Sequence, residues 1–114
     1  MRQKLAEKDG WPLGDPDVWL DFGDTSWGPD GAVIDAAGNF WNAQWGANRV
    51  ACYAPDCTLT QTIAFPAVQT SCPAFGGPDF KTLFCTSAAV GLIGEDDGKT
   101  FATSVDAVGQ AEPQ

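Results

Sequence analysis

The sequence contains no histidine. This absence excludes Ser-His-Asp and Cys-His nucleophilic mechanisms, histidine-ligated zinc sites and every imidazole general base. Any catalysis by this chain therefore has to use carboxylates, a metal ion, or both.

Basic residues are also scarce: 6 Lys and Arg stand against 15 Asp and Glu, and the net charge at pH 7 is −9. Because no basic patch is available to neutralise phosphates, we expect neither nucleic acid nor an anionic membrane as a partner. No apolar run approaches about 18 residues, which argues against a membrane span. The charged N-terminus lacks the apolar region of a signal peptide, so we expect a cytoplasmic location.

The 4 cysteines form no Cys-x-x-Cys pair, which makes a zinc or redox site a weak interpretation. In a chain without an export signal we expect free, mostly buried thiols rather than disulfides. The cysteines are Cys52, Cys57, Cys72 and Cys85.

Helical periodicity is nearly absent, and the best helix candidate is the short start, Arg2 to Lys8. From Val18 onward, short β-prone runs alternate with Gly, Pro, Asp and Asn at intervals of about ten residues, a pattern typical of an all-β meander. The pattern predicts strands at Val18–Phe22, Ala32–Asp35, Phe40–Gln44, Arg49–Ala54, Leu59–Phe65, Cys72–Phe75, Leu83–Ser87 and Thr100–Val105.

The strands from Ala32 to Phe65 form one predicted four-stranded unit, and a weaker copy begins near Ser71, at an offset of about 42 residues that is typical of propeller blades. An immunoglobulin-like sandwich would give a similar strand number, but its Cys…Trp…Cys spacing is absent. We therefore predict an all-β fold: a partial β-propeller of about two to three four-stranded blades. The predicted organisation is a poorly structured segment at 1–17, the blades at 18–106 and a flexible tail at 107–114.

A motif from Gly28 to Val50 carries a family resemblance. It consists of Pro-Asp-Gly, an apolar strand, Asp35, a Gly-Asn turn, Trp-x-Ala-x-Trp-Gly and Arg-Val. Together with Phe75-Gly76-Gly77-Pro78-Asp79 further on, it resembles the C-terminal portion of the SMP-30/gluconolactonase/luciferin-regenerating-enzyme (LRE)-like family. The resemblance covers Trp19 to Leu92.

The resemblance implies a six-bladed β-propeller that holds a divalent cation and hydrolyses sugar lactones. In the family the cation is held by a Glu near the start of the chain, an Asn of a middle blade and the Asp of the Pro-Asp-Gly turn. Only the last has a counterpart here, at Asp30. Asp30 is thus the candidate metal ligand and catalytic acid/base residue. Calcium is the expected ion, with zinc or magnesium as alternatives.

Other residues receive weaker interpretations. Ser71 opens the next blade at the position equivalent to Asp30, so it is a candidate for lining the substrate pocket. Without its surrounding motif, Asp30 itself would be interpreted as a turn former. For the aromatic strand, packing between blades is favoured over stacking on a sugar. The remaining acidic positions are predicted to serve turns and solvated loops: Asp21, Asp24, Asp35, Asp56, Asp79 and the run Glu95–Asp97.

The sequence therefore predicts metal-dependent hydrolysis of a sugar lactone by the C-terminal portion of a gluconolactonase-like hydrolase. One alternative is a non-catalytic propeller remnant or β-module that has lost the active site. Another is one half of a split enzyme. The outer blade edges are predicted to be open, which favours self-association or pairing with a complementary chain.

Overall fold

The computed structural model describes residues 1–111, and strands but no helix occur within them. The all-β prediction is therefore confirmed. Within this range no helix has the length and apolar character needed to cross a membrane. The strands are β1 (Arg2–Leu5), β2 (Pro12–Asp17), β3 (Gly28–Ile34), β4 (Phe40–Trp45), β5 (Arg49–Tyr53), β6 (Leu59–Ala64), β7 (Gln69–Gly76), β8 (Thr82–Ala88) and β9 (Phe101–Ser104).

Strands β3 to β6 form an antiparallel meander in which each strand pairs with its neighbour in the chain. This is the unit that the sequence predicts as one blade. Its β3–β4 turn contains Gly38 at φ 88°, a left-handed conformation that glycine adopts without steric cost. The unit ends with β6, whose outer edge pairs with no strand of the described part of the chain.

Strands β7, β8 and β9 form a second antiparallel unit, which matches the predicted weaker copy. The two units are linked at one end of β4, where Trp45 pairs with Gln69 of β7. A hydrophobic core lies between them, with Trp41, Val50 and Cys52 from the first unit and Leu83 and Cys85 from the second. Trp41 meets Phe75 edge to face, with ring centroids 5.4 Å apart. The prediction that the aromatic strand packs between blades is confirmed for Trp41.

The predicted strand Val18–Phe22 is wrong, because this segment has no strand pairing. Its aromatic residues pack instead on the β4–β5 surface: Trp19 lies 5.2 Å from Phe40 and Phe22 lies 5.5 Å from Tyr53, measured between ring centroids. The Trp19 indole also donates to the carbonyl of Pro55 at 3.2 Å. Side-chain packing thus holds this segment in place, whereas its apolar pattern predicts pairing with a neighbouring strand.

The N-terminal segment also differs from its prediction, since β1 and β2 form an antiparallel hairpin in place of a helix or a poorly structured chain. Every residue of both strands is exposed. The hairpin turn is set by Gly10 at φ 72° and by the Asp9 carboxylate, which accepts from the Trp11 amide. Because neither strand buries an apolar face, hydrophobic periodicity carries no signal for it.

The C-terminal tail, predicted to be flexible over 107–114, is packed where the structure describes it. Ala107 contacts the core, and Gly109 is buried and forms a bridge with Asp35. Residues 112–114 of the predicted tail lie outside the described residues.

All four cysteines are free, as predicted, and two of them, Cys52 and Cys85, are buried. Burial raises the pKa of Cys85 to about 11, which keeps this thiol protonated and unreactive at neutral pH. Cys57 adopts φ 72° in its turn, and its thiol donates to the carbonyl of Trp19. Cys57 therefore occupies a turn position that glycine adopts more readily.

Candidate active site

Asp30 lies on a β-bulge of β3. Pro29 pairs with Gln44 and Ala32 pairs with Asn42, so Asp30 and Gly31 together face the single residue Ala43 on β4. A bulge of this kind bends its strand and redirects side chains, which is why bulges recur beside active sites. Asp30 is exposed, so its carboxylate is free to meet a ligand.

A cavity of about 340 Å³ adjoins Asp30. It lies between the segment before β3, which has no strand pairing, and the strands β3 and β4. Its wall combines aromatic rings with a few polar groups, a composition typical of small-molecule sites. The lining side chains include Trp19, Phe22, Phe40, Asp21, Asp30 and Asn42.

Asn42 is the polar residue that sequence reasoning did not identify. It is 1% exposed, and its Nδ2 donates to the carbonyl oxygens of Asp30 at 3.1 Å and Gly31 at 3.2 Å. Its Oδ1 is buried and has no hydrogen-bond partner within residues 1–111. Asn42 stands in a strand between buried apolar residues. An amide side chain at such a position is the one feature of the sequence that could have indicated a role for it.

A second polar network lies on the same face of β4 and β5. Gln44 is fully buried; its Nε2 donates to the Tyr53 hydroxyl at 2.9 Å, and its Oε1 accepts from Arg49. The Arg49 guanidinium lies 5.6 Å from the centroid of Trp27, a cation–π distance. These contacts fix the end of β4 that pairs with the start of β3.

Strands β3 and β7 approach each other closely at Gly31. A Cβ atom added at Gly31 would lie 2.8 Å from the carbonyl oxygen of Ser71 and 2.9 Å from the Cα of Cys72. Both are backbone atoms, so they cannot move aside by a change of rotamer. The glycine of the Pro-Asp-Gly turn is therefore required for the close contact between β3 and β7.

We expect Gly31→Val to lower the free energy of unfolding by about 1–3 kcal/mol or more, because overpacking at this contact forces β3 and β7 apart. Urea unfolding followed by circular dichroism measures the change. Gly28→Val is the matched control, since a Cβ at Gly28 meets no atom within 4 Å. Equal stability of the two variants would contradict the steric role of Gly31.

Ser71 lies on β7, and its backbone carbonyl oxygen lies against Gly31, the neighbour of Asp30 in the bulge of β3. The Ser71 hydroxyl is hydrogen-bonded to the Thr86 hydroxyl at 2.8 Å. The cavity beside Asp30 is lined by other residues. The pocket-lining role of Ser71 stays a prediction.

A divalent cation does not fit the described residues by themselves. Among residues 1–111 no three carboxylate, thiol or imidazole side chains lie close enough together to hold a metal ion. Calcium takes about 6–8 oxygen ligands, and the side chains lining the cavity offer the carboxylates of Asp21 and Asp30 and the amide of Asn42. A calcium ion at Asp30 would therefore need further ligands, such as water or backbone carbonyls.

Asp35 serves structure, as predicted. The carboxylate is 1% exposed and accepts from Trp41 Nε1 at 2.9 Å, from the Asn39 amide at 2.9 Å and from the Ala37 amide at 3.0 Å. Burial alone would raise the pKa of Asp35, but the hydrogen bonds from Trp41, Asn39 and Ala37 outweigh it and lower the pKa below its ordinary value. Asp35 thus ties the Gly-Asn turn to the core.

Three further carboxylates also hold turns, as predicted for Asp56 and Asp79; Asp21 was predicted to lie in a solvated loop. Each accepts from the backbone amide two residues later, the geometry of an Asx turn. The pairs are Asp21 with Gly23 at 2.8 Å, Asp56 with Thr58 at 3.0 Å and Asp79 with Lys81 at 3.1 Å.

Comparison with known proteins connects this geometry to a family. Residues 3–89 match the sequence profile of the SMP-30/Gluconolactonase/LRE-like region. The chain is 37% identical over 114 residues to 6-deoxy-6-sulfogluconolactonase of Pseudomonas putida, covering 94% of this chain and 39% of that protein. It is 48% identical over 64 residues to L-arabinolactonase of Azospirillum brasilense, covering 56% of this chain and 21% of that protein.

A solved structure extends the likeness to three dimensions. The calcium-binding protein regucalcin of Agrobacterium tumefaciens superposes with a TM-score of 0.89 at 36% identity, over 99% of this chain and 40% of that one. The partial β-propeller is thereby confirmed. The chain spans about two fifths of the length of the regucalcin and of the Pseudomonas relative.

Proposed function

Because this chain belongs to the SMP-30/Gluconolactonase/LRE-like family, we propose that it takes part in the hydrolysis of a sugar lactone, with Asp30 as the general base. The observation that carries the proposal is the placement of Asp30 on a bulge at the edge of an aromatic-lined cavity. Two relatives are named lactonases, and both act on sugar-derived lactones by their names.

The chemistry available to this chain is proton transfer. The carboxylate of Asp30 accepts a proton from water as the water oxygen attacks the lactone carbonyl. The ring C–O bond then breaks, and the proton passes to the ring oxygen, which leaves as the hydroxyl of the open hydroxy acid. The aromatic rings of Trp19 and Phe40 offer apolar surface for the sugar ring.

A divalent cation belongs to the proposal only together with further ligands. The regucalcin neighbour is described as calcium-binding, which favours calcium over zinc or magnesium. Since the side chains lining the cavity supply fewer oxygens than calcium takes, water, a complementary chain or a second copy would have to complete the ligand set. No step of the proton transfer at Asp30 depends on this ion.

A pH-stat assay tests the proposal, because lactone opening releases an acid. We expect the chain to open glucono-δ-lactone faster than the spontaneous reaction, both with and without added calcium. Circular dichroism should first establish that the protein is folded. A folded chain that leaves the spontaneous rate unchanged would contradict the proposal and favour the alternative of a non-catalytic propeller remnant.

Calorimetric calcium titration, combined with light scattering, tests the ligand set. If the side chains lining the cavity are all that the chain supplies, the monomer should show no saturable calcium binding in the micromolar range. Binding that appears only in an associated species would favour completion of the site by a second copy. Tight binding by the monomer would contradict this account of the ligands.

A further inference from the structure

Asn42 lies on β4 next to Ala43, the residue that faces the bulge carrying Asp30, and both of its amide hydrogen bonds go to that bulge. The geometry points to Asn42 as the positioning residue of Asp30: its side chain holds the bulge backbone and so fixes the direction in which the Asp30 carboxylate leaves the strand. This inference rests on the proposed function, because Asp30 is positioned for the reaction proposed there.

The bulge creates the need for such a residue. Where two residues face one, the ladder of backbone hydrogen bonds is locally disrupted, and the carbonyl groups require other donors. Asn42 supplies one amide nitrogen to the carbonyls of Asp30 and Gly31. Both partners are acceptors, so the orientation of the amide follows from the contacts themselves.

The oxygen of the Asn42 side-chain amide indicates that this residue does more than stabilise the fold. Its Oδ1 is buried and unpaired within the described residues, and an unpaired buried acceptor destabilises the fold. A valine, which is shorter than asparagine and has no polar side-chain atoms, would remove this unpaired acceptor along with the two hydrogen bonds. The two carbonyl groups would then turn to water, since Asp30 is exposed and Gly31 is half-buried. The net effect on stability should be small.

Asn42→Val is therefore the test variant, and Thr60→Val is its matched control. The Thr60 hydroxyl donates at 3.1 Å to the carbonyl of Cys52, at the register shift between β5 and β6. Like the Asn42 amide, this hydroxyl donates a side-chain hydrogen bond to the backbone at a register shift of the same sheet. The register shift between β5 and β6 lies on other strands than Asp30. Valine preserves the shape of threonine and removes its hydroxyl.

Two measurements on the full chain decide the outcome. Lactone hydrolysis should show kcat lowered about 10–100-fold in Asn42→Val with KM changed less than about threefold, because misplacement of a general base affects the chemical step. NMR should show altered carbonyl and amide shifts at Asp30 and Gly31 in the same variant. Thr60→Val should leave kcat and those signals unchanged, and the melting temperatures of both variants should stay close to that of the wild type.

The outcomes separate this inference from the proposed function. A wild-type chain with turnover, and an Asn42→Val variant with the same kcat, would overturn the positioning role while the proposed function stands. A wild-type chain without turnover overturns the proposed function, and with it any catalytic meaning of the positioning; the NMR comparison then decides whether Asn42 sets the bulge. Unchanged Asp30 and Gly31 signals in Asn42→Val would overturn the inference in either case.

Discussion

Replacing Asp30 with asparagine is expected to lower kcat/KM for lactone hydrolysis by about 10²–10⁴-fold, the contribution typical of a positioned general base. Asparagine has nearly the same size as aspartate but cannot accept the proton of the attacking water. The bulge backbone should persist, because Asn42 contacts the carbonyl of residue 30 rather than its side chain. The loss should therefore appear without a change in the melting temperature.

Asp24→Asn is the matched control, since it removes the same charge from an exposed position in the loop before β3. If the effect of Asp30→Asn came only from the loss of one negative charge near the site, both variants would lose activity to a similar degree. Activity in Asp30→Asn within about threefold of the wild type would rule out Asp30 as the general base.

The largest loss of stability is expected from Asp35→Ala. The variant removes the acceptor for the buried Trp41 Nε1 and for the part-buried amide contacts of Asn39 and Ala37. A buried donor left without a partner costs about 1–3 kcal/mol, and the loss of the other two contacts adds to this. We expect the free energy of unfolding to fall by about 2–5 kcal/mol, which is a large share of the stability of a domain of this size. Urea unfolding, followed by tryptophan fluorescence, measures it.

Asp56→Ala provides the comparison for this variant. Asp56 also accepts a turn amide, but it is exposed, so water replaces the lost contact. Its loss of stability should be much smaller than that of Asp35→Ala. Equal losses of stability in the two variants would show that the buried hydrogen bonds around Trp41 contribute no more stability than an exposed turn contact.

The lowered pKa of Asp35 makes the stabilisation by these hydrogen bonds depend on pH. Because the folded-state pKa is lowered, the stabilisation by the carboxylate is present above the unfolded-state pKa and is lost as pH falls through the folded-state value. The stability difference between the wild type and Asp35→Asn should be full at neutral pH and should shrink below about pH 4. A difference that stays constant between neutral and acidic pH would contradict this assignment.

Much of the strand order could be predicted from sequence because the runs of β3 to β9 are short, β-prone and bounded by turn residues. That rule fails at Val18–Phe22, where the apolar residues bury themselves as single aromatic side chains without a neighbouring strand. It also fails at the hairpin of β1 and β2, where all side chains are exposed and no buried face imposes a period.

The candidate site was only half predictable for a related reason. Asp30 stands in a recognisable turn motif, so its residue type and neighbours carry the signal. The role of Asn42 depends on the register between β3 and β4, which is shifted by the bulge. Composition and alternation do not reveal a shifted register, and so the contact between Asn42 and the bulge appears only in three dimensions.

The meander of β3 to β6 has a consequence for how the chain folds. Each of its strands pairs with the next across a short turn, so these contacts have a low contact order and close small loops. The meander can form as one cooperative unit before β7 docks at Gly31. The meander would then act as the folding nucleus and form before the two units contact each other. The bulge that carries Asp30 would form before the hydrophobic core between the units is completed.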